Sequence, residues 1–245
     1  IIGMDNPIYY RNKAIFHINK NDIGFYKKES NDIITINNCY LLDKLINESF
    51  ALLKEYIIKN NIDVNKLMLR VGNNSKELMI VLYGKYNKKT YDDMIRYITN
   101  KINEVKTIIL KDNNKDYILY GNGYIKESIL GLSFEISADS FFQVNTIQAE
   151  KMYKVVKNYI EETDKLIFDL YCGTGTIALM LSNNYNKVIG IEIVESAVKD
   201  AINNANTNDI SNVQFVLGNV NKEIIKLSEQ KVTPDVVVID PPRKG

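Results

Sequence analysis

The first third of the chain is rich in aromatic and β-branched residues, grouped in runs that short polar stretches separate. Dense runs at 8–18 and 23–28, with a shorter apolar run at 33–36, predict strands joined by hairpins. Apolar positions between Leu41 and Ile58 fit an amphipathic helix. The later elements predicted in this part are strands 66–71, 77–83, 105–110 and 117–120, with a helix near 91–103. The pattern indicates an α+β domain.

Strands and helices alternate regularly after about residue 130. The predicted order is helix 146–160, strand 165–171, helix 176–183, strand 187–193, helix 195–206, strand 212–217, helix 220–229 and strand 234–239. Apolar strands separated by helices predict a parallel, doubly wound sheet that binds ligands at the carboxyl ends of its strands. We therefore predict two domains, 1–130 and 131–245, of which the second is Rossmann-like. Because the alternation stops after the fourth strand and Ile1 is not a start methionine, we expect a truncated fragment.

Composition narrows the class of protein without identifying it. The 245 residues are 45% hydrophobic and 25% charged, with no apolar run near the ~18 residues of a membrane span and no signal peptide. The net charge is +1, although residues 1–135 carry +4, which weakly favours phosphate contact. Two distant cysteines and one histidine, His17, argue against a disulfide scaffold or a self-contained zinc site. We expect a cytoplasmic protein with no membrane contact, and we infer no protein partner.

A glycine-containing turn follows strand 165–171. Gly173 and Gly175 let the backbone bend sharply and approach a ligand, and the helix after them begins with free N–H groups. With Ala178 they also satisfy a loose G-x-G-x-x-A dinucleotide pattern. Asp169 favours S-adenosylmethionine over NAD, because a carboxylate repels a pyrophosphate and attracts an ammonium group. The alternative interpretation is a turn whose only role is to pack the helix on the sheet.

A carboxylate also ends the next strand. Glu192 lies about 20 residues after the glycines, where it can accept hydrogen bonds from both hydroxyls of a ribose. This position suits NAD or S-adenosylmethionine equally. A solvated glutamate at a strand end is the alternative.

The fourth strand ends at Asp240, followed by Pro241 and Pro242. The prolines fix the backbone and hold Asp240 at the strand tip. In methyltransferases that act on nucleobases, Asp/Asn-Pro-Pro at this place faces the transferred methyl group. Arg243 and Lys244 replace the aromatic residue typical of enzymes that methylate exocyclic amines, which disfavours an amine target and suits a phosphate neighbour. The alternative interpretation is a proline-rich segment that ends the strand and has no role in methyl transfer.

Five motifs occur together in a characteristic order and spacing. They are SFFQVN at 140–145, DLYCGTGT at 169–176, GIE at 190–192, GN at 218–219 and DPPRKG at 240–245. With them the chain resembles the RNA (uracil-5-)-methyltransferases, which make 5-methyluridine in ribosomal and transfer RNA. The front half, with YRNKA at 10–14 and IGFY at 23–26, is similar to that family's central domain.

The resemblance implies S-adenosylmethionine as cofactor. The implied contacts are Gln143, Asp169, Tyr171, Gly173, Thr176, Glu192, Asn219 and Asp240. Many relatives carry Asn at the position of Thr176, so its contact is the weakest of the set. An NAD-dependent oxidoreductase and a non-catalytic RNA-binding module are the rival functions.

The resemblance also implies the reaction. A cysteine thiolate adds to C6 of uracil, C5 attacks the methyl group, and a base then removes the C5 proton. The family's Cys nucleophile and Glu base follow the DPP motif, so both are expected beyond Gly245, and no catalytic residue is assigned here. Cys172 is expected to be a small buried residue. We therefore expect the fragment to retain most cofactor contacts and not to methylate.

Cys39 resembles the fourth ligand of a [4Fe–4S] cluster in some relatives. The other three ligands are not in this chain, and one thiolate cannot hold a cluster, so the resemblance implies an iron–sulfur cluster only in the full-length parent. In the fragment itself, a lone buried thiol is the simpler interpretation.

Aromatic and basic residues are interleaved on the first two predicted strands, which form a hairpin. They are Tyr9, Tyr10, Arg11, Lys13, Lys27 and Lys28. Such residues on neighbouring strands can stack bases and neutralise phosphates. The family resemblance favours RNA over a merely solvated basic face. It also favours 23S ribosomal RNA, with a tRNA uracil-5 methyltransferase as the alternative.

Overall fold

The computed structural model describes residues 2–113, 115–161, 165–182 and 187–241. The chain divides into two compact units. One comprises Ile1–Lys126 with Val144–Thr146, and the other comprises Glu127–Gln143 with Ile147–Gly245.

The first unit is a seven-stranded sheet with two helices on one face. Its elements are β1 (Lys13–Asn19), β2 (Asp22–Tyr26), β3 (Ile33–Thr35), α1 (Lys44–Lys59), β4 (Val64–Val71), β5 (Leu78–Gly84), α2 (Lys88–Thr99), β6 (Val105–Asp112) and β7 (Lys115–Tyr120). The strand order is β3-β2-β1-β4-β5-β6-β7, and only β5 and β6 pair in parallel. Parallel neighbours need a crossover, and α2 supplies it. Phe16 of β1 stacks on Phe50 of α1, with ring centroids 3.9 Å apart, in the core between sheet and helices.

The first strand begins later than predicted. Residues 8–12 were expected to extend it, but Tyr9 has a φ of 55°, which interrupts an extended chain. Its N–H donates to the Tyr40 carbonyl, and the Arg11 N–H donates to the Leu41 carbonyl. The segment before β1 therefore lies along residues 40–43. Similarly, α2 begins at Lys88 instead of 91 because Asn87 caps it, accepting from the Thr90 N–H at 3.2 Å.

The remaining elements include the predicted parallel sheet. They are β8 (Tyr124–Ile129), β9 (Leu132–Ser137), α3 (Thr146–Lys157), β10 (Leu166–Leu170), α4 (Thr176–Leu181), β11 (Lys187–Glu192), α5 (Glu195–Thr207), β12 (Val213–Leu217), α6 (Val220–Glu229) and β13 (Val236–Ile239). The sheet order is β12-β11-β10-β13, with every pair parallel. The prediction of a Rossmann-like α/β domain is confirmed.

A hairpin of β8 and β9 was not predicted. Its turn consists of Leu130 and Gly131, with φ values of 51° and 83°. Two consecutive left-handed residues favour Asn-Gly or Asp-Gly, and a leucine at the first position conceals the turn from a sequence pattern. The predicted domain boundary near residue 130 falls in this turn.

No helix within the described ranges is both long enough and apolar enough to cross a bilayer.

Candidate functional site

Strand register aligns three of the predicted site residues. Leu170, the last residue of β10, is in register with Ile191 of β11 and with Ile239 of β13. The carboxyl ends of parallel strands meet at one edge of a sheet. The next residues along these three strands therefore lie at one level, and they are Tyr171, Glu192 and Asp240.

The turn after β10 folds back over this edge. Gly173 and Gly175 have φ values of 54° and 77°, the left-handed conformation that glycine adopts without strain, and Tyr171 adopts it at 64°. The Gly173 N–H donates to Glu192 Oε2 at 3.0 Å. A Cβ on Gly175 would lie 2.7 Å from the Phe215 ring, so the turn packs too closely there for any side chain.

Asp169 is fully buried beneath the turn. Its Oδ2 accepts from the Ala178 N–H at 2.9 Å, whereas Oδ1 is buried and has no hydrogen-bond partner within the described ranges. Burial, reinforced by the charges of Asp240 and Glu192, raises the pKa of Asp169 to about 7, although the Ala178 N–H acts in the opposite direction. Asp169 thus offers an unsatisfied acceptor among other carboxylates, an arrangement that a cationic ligand would stabilise.

Backbone N–H groups orient the Glu192 carboxylate. Oε1 accepts from Ile193 and Val194, both at 2.8 Å, and Oε2 accepts from Gly173. An ionised carboxylate has about four acceptor positions, so about one remains for a ligand. Glu192 is therefore held in a fixed orientation at the strand end.

Gln143 reaches the same edge from a distant part of the sequence. Its Nε2 donates to Asp240 Oδ2 at 3.4 Å across 97 residues of chain. The segment before it is anchored to α5, where the Ser137 and Ser140 hydroxyls donate to Asp200 Oδ2. Phe142 is buried next to Phe134, whereas Phe141 is exposed. Gln143 and Asp240 are thus brought together.

Two further predicted residues are engaged in local structure. Asn219 caps α6, with its Oδ1 accepting from the Lys222 N–H at 3.4 Å. Thr176 is buried at the start of α4, with its hydroxyl 3.3 Å from the Thr174 hydroxyl. No hydrogen bond between described residues joins Thr176 to Gln143, Glu192 or Asp240.

The two cysteines occupy different environments. Burial raises the pKa of the Cys172 thiol far above its ordinary value, and the charges of Asp169 and Glu192 add to the effect. Cys39 is half-buried, and Asn47 holds its backbone by accepting from its N–H at 2.9 Å and donating to its carbonyl at 3.1 Å. In the described parts of the chain no three His, Cys, Asp or Glu side chains are grouped so as to hold a metal.

Tyr153 lies within the electrostatic influence of Asp240 and Asp169, although no sequence motif includes it. It lies on α3, is 3% exposed, and has its pKa raised by burial and by the charges of Asp240 and Asp169. Only its place on the buried side of α3 could have drawn attention to it.

The basic and aromatic residues predicted to lie on two neighbouring strands are arranged otherwise. Only Lys13 lies within a strand. Tyr9, Tyr10 and Arg11 precede β1, and Tyr9 packs 6.0 Å from Tyr40, while Lys27 and Lys28 follow β2. Competing backbone hydrogen bonds to residues 40–43 displace the aromatic pair from the sheet.

Four parallel strands, a glycine turn and carboxylates at successive strand ends define a Rossmann-like domain of methyltransferase type. The whole chain matches the tRNA (Uracil-5-)-methyltransferase family over residues 4–245, and it belongs to that family. The predicted family is thereby confirmed.

Curated relatives agree with this assignment, and a solved structure agrees with the fold. An uncharacterized RNA methyltransferase of Clostridium acetobutylicum is 38% identical over 100% of this chain and 58% of its own length. One from Oceanobacillus iheyensis is 35% identical, over 100% and 59%. The chain thus spans less than two thirds of these relatives. A Pyrococcus abyssi tRNA (uracil-54, C5)-methyltransferase, solved with S-adenosyl-L-homocysteine, has the same fold, with a TM-score of 0.77 and 24% identity over 98% of this chain and 62% of that one.

Proposed function

We propose that the protein containing this chain methylates C5 of uridine in RNA, using S-adenosylmethionine as the methyl donor. The observation that carries this proposal is the hydrogen bond from Gln143 to Asp240, at the sheet edge that Asp169 and Glu192 also approach. Family membership supplies the reaction type. The carboxylates of Asp169, Glu192 and Asp240 at this sheet edge supply a site for a cationic nucleoside.

The residues present fit this donor. Asp169 Oδ1 is a buried acceptor without a partner in the described chain, and the ammonium group of the donor would satisfy it. Glu192, oriented by three N–H groups, would accept from the ribose hydroxyls. When bound, S-adenosylmethionine supplies an electrophilic methyl group. The full set proposed to hold it is Gln143, Asp169, Tyr171, Gly173, Thr176, Glu192, Asn219 and Asp240.

The same carboxylates disfavour a dinucleotide. The two negative charges of a pyrophosphate would lie near Asp169, Glu192 and Asp240, and like charges in a partly buried site repel strongly. This electrostatic argument separates the methyl donor from NAD, whose glycine pattern the turn also satisfies.

Cys172 is unsuited to act as the nucleophile. Covalent catalysis needs a thiolate, and burial between Asp169 and Glu192 keeps this thiol protonated. We propose that the Cys nucleophile and the Glu base are supplied from outside residues 1–245. Methyl transfer by the 245-residue chain alone would contradict this assignment.

Calorimetric titration of the chain with S-adenosylhomocysteine and with NAD tests the cofactor. We expect binding of the first only, weakened about tenfold or more in Glu192→Gln and Asp240→Asn because each loses a charge-assisted hydrogen bond. Glu195→Gln is the matched control, since Glu195 is an exposed carboxylate three residues further on that pairs with Lys199. Tighter binding of NAD, or no binding of S-adenosylhomocysteine, would overturn the proposal. RNA binding without either cofactor would favour a non-catalytic module.

For the RNA class we propose 23S ribosomal RNA, on the resemblance of residues 10–14 and 23–26, with a cytoplasmic location to match. The family description names tRNA, so tRNA is the second candidate. Incubating the intact protein with labelled methyl donor and transcripts of each RNA, then measuring 5-methyluridine, decides between them. Label in tRNA alone would contradict the ribosomal assignment and keep the reaction.

A further inference from the structure

One row of side chains crosses the first-unit sheet on the face opposite the helices. Phe16 packs on Phe50 of α1, and successive residues of a strand point to opposite faces, so His17 lies on the far side. Strand register places these residues side by side in order from β3 to β7: Thr35, Gly24, His17, Lys66, Tyr83, Lys111 and Asp116.

Aromatic rings and ammonium groups alternate at the centre of the row. The imidazole of His17 stacks on Tyr26 with centroids 3.6 Å apart and planes 17° apart. The Lys66 ammonium lies 3.7 Å from the centre of the Tyr83 ring. Adjacent strands are about 4.8 Å apart, so His17 and Tyr83 lie about 10 Å apart with Lys66 between them.

These groups are not part of a hydrophobic core. Tyr26 is 46% exposed, and His17, Lys66 and Tyr83 are each only half-buried. Within the part of the chain that the structure describes, Lys66 has no carboxylate close enough for an ion pair. A preformed stack with an exposed outer ring is a surface on which a further planar group can add.

The charges around the stack indicate which kind of planar group adds to it. Lys27, exposed, directly follows Tyr26, and Lys66 lies within the row, while the acidic end residue Asp116 is neutralised by Lys111 at 2.7 Å. A ring beside an ammonium group complements a base beside its phosphate. Only unpaired nucleotides present base faces for stacking, so a duplex would not fit.

We propose that His17, Tyr26, Lys66 and Tyr83 form a stacking platform that binds a single-stranded segment of the RNA. A base stacks on the Tyr26–His17 pair, and Lys66 contacts the neighbouring phosphate. The inference rests on the proposed function only in taking the ligand to be RNA, since the residues of the row belong to the first unit and the proposed cofactor residues to the second.

Fluorescence anisotropy of the chain with a labelled 12-nucleotide oligouridylate tests the platform. We expect Tyr26→Ala to weaken binding about tenfold or more and Tyr26→Phe to leave it within about twofold, because stacking needs the ring and not the hydroxyl. Lys66→Gln should reduce the slope of log K against log salt by about 0.7. Tyr86→Ala is the matched control: Tyr86 is 41% exposed and stacks on Tyr117 at 4.4 Å, a core tyrosine on the helix face.

An abasic oligomer of the same length provides a readout that a folding defect would not move. The wild-type chain should bind it about as weakly as Tyr26→Ala binds oligouridylate, and Tyr26→Ala should bind the two oligomers alike. Equal binding of both oligomers by the wild type, or equal loss in Tyr26→Ala and Tyr86→Ala, would overturn the platform. Full RNA affinity in every variant would overturn it too, and would reassign the face to a protein partner. Titrating the same variants with S-adenosylhomocysteine separates this failure from a failure of the proposed function.

Discussion

Asp169 is a carboxyl group without access to solvent whose pKa, about 7, lies well above its ordinary 3.8. Between these two pH values the unfolded chain has lost the proton and the folded chain retains it. The contribution of Asp169 to stability is therefore complete below pH 4 and is lost as the pH rises to about 7. Asp169→Asn keeps an acceptor for the Ala178 N–H and cannot ionise. We expect its stability relative to the wild type to rise between pH 4 and 7 by on the order of 4 kcal/mol.

Urea unfolding at pH 5, 6, 7 and 8 measures this difference. Asp235→Asn is the control, because the N–H groups of Leu166 and Lys165 lower the pKa of the exposed Asp235. Stability from a lowered pKa is lost only as the pH falls through that pKa, so this variant should show no pH-dependent difference from the wild type between pH 5 and 8. Parallel curves for Asp169→Asn and the wild type would show that Asp169 does not titrate in this range. Asp169→Asn should also bind S-adenosylhomocysteine more weakly.

Gly173 and Gly175 share a backbone conformation but not an environment. Alanine at Gly173 would meet no atom within 4 Å, so it should cost only the left-handed strain, about 1 kcal/mol. Alanine at Gly175 would add contacts of 2.7 Å with Phe215 and 3.0 Å with Ala201, for a total loss of stability of about 3 kcal/mol. Urea unfolding of Gly173→Ala and Gly175→Ala measures both. Equal losses would mean that the turn relaxes away from Phe215.

Side chains of α5 and of its C-cap residue Asn208 hydrogen-bond to the backbone of β9 as a neighbouring strand would. Asn204 Oδ1 accepts from the Glu135 N–H at 2.7 Å, and Asn208 both accepts from the Ser133 N–H and donates to the Ser133 carbonyl. Asp200 accepts from the Ser137 N–H. Alternate strand residues are about 6.8 Å apart and helix residues four apart rise 6 Å, so the two repeats match.

The hydrogen bonds from residues 200, 204 and 208 to β9 form a ladder, and Asn204→Ala should remove its central bonds. The variant leaves the Glu135 N–H and the Thr174 carbonyl without their partner, so we expect a loss of about 2 kcal/mol in unfolding free energy. Asn203→Ala, at the exposed position next to it, should change stability by less than about 0.5 kcal/mol. Chemical denaturation of both variants provides the comparison, and similar losses would contradict a role for the ladder.

The ladder also explains which elements could be predicted. Strands β10 to β13 are apolar runs with helices between them, a local signal, and they were predicted. The hairpin of β8 and β9 depends on asparagines 69 and 75 residues away, which no local pattern reveals. Polar residues at 200 and 204 lie on one face of α5 and Asn208, its C-cap, continues their four-residue spacing, which was the only sign in the sequence.

The residues of the candidate site also divide into those that a local sequence pattern predicts and those that it does not. Asp169, Glu192 and Asp240 could be predicted because they lie at or next to the carboxyl ends of strands, and Gln143 because its motif has a known place in the family. The three N–H donors to Glu192 could not be predicted, because they depend on the geometry of the turns. Tyr153 could not be predicted either, because tertiary packing places it near Asp240 and Asp169.

The two ligands are proposed to bind different units of the chain, so each ligand should stabilise the unit that holds its site. A ligand slows only those opening motions that break its site, and at 100 times its Kd it can add up to about 2.7 kcal/mol of protection. We expect S-adenosylhomocysteine to slow amide hydrogen exchange in peptides 168–180 and 188–195, and the oligouridylate to slow it in 13–26 and 64–71. Mass spectrometry of the chain with each ligand resolves these peptides. Protection of 13–26 by S-adenosylhomocysteine, to the degree seen in 168–180, would mean that the units open together, and it would contradict the assignment of the two ligands to separate units.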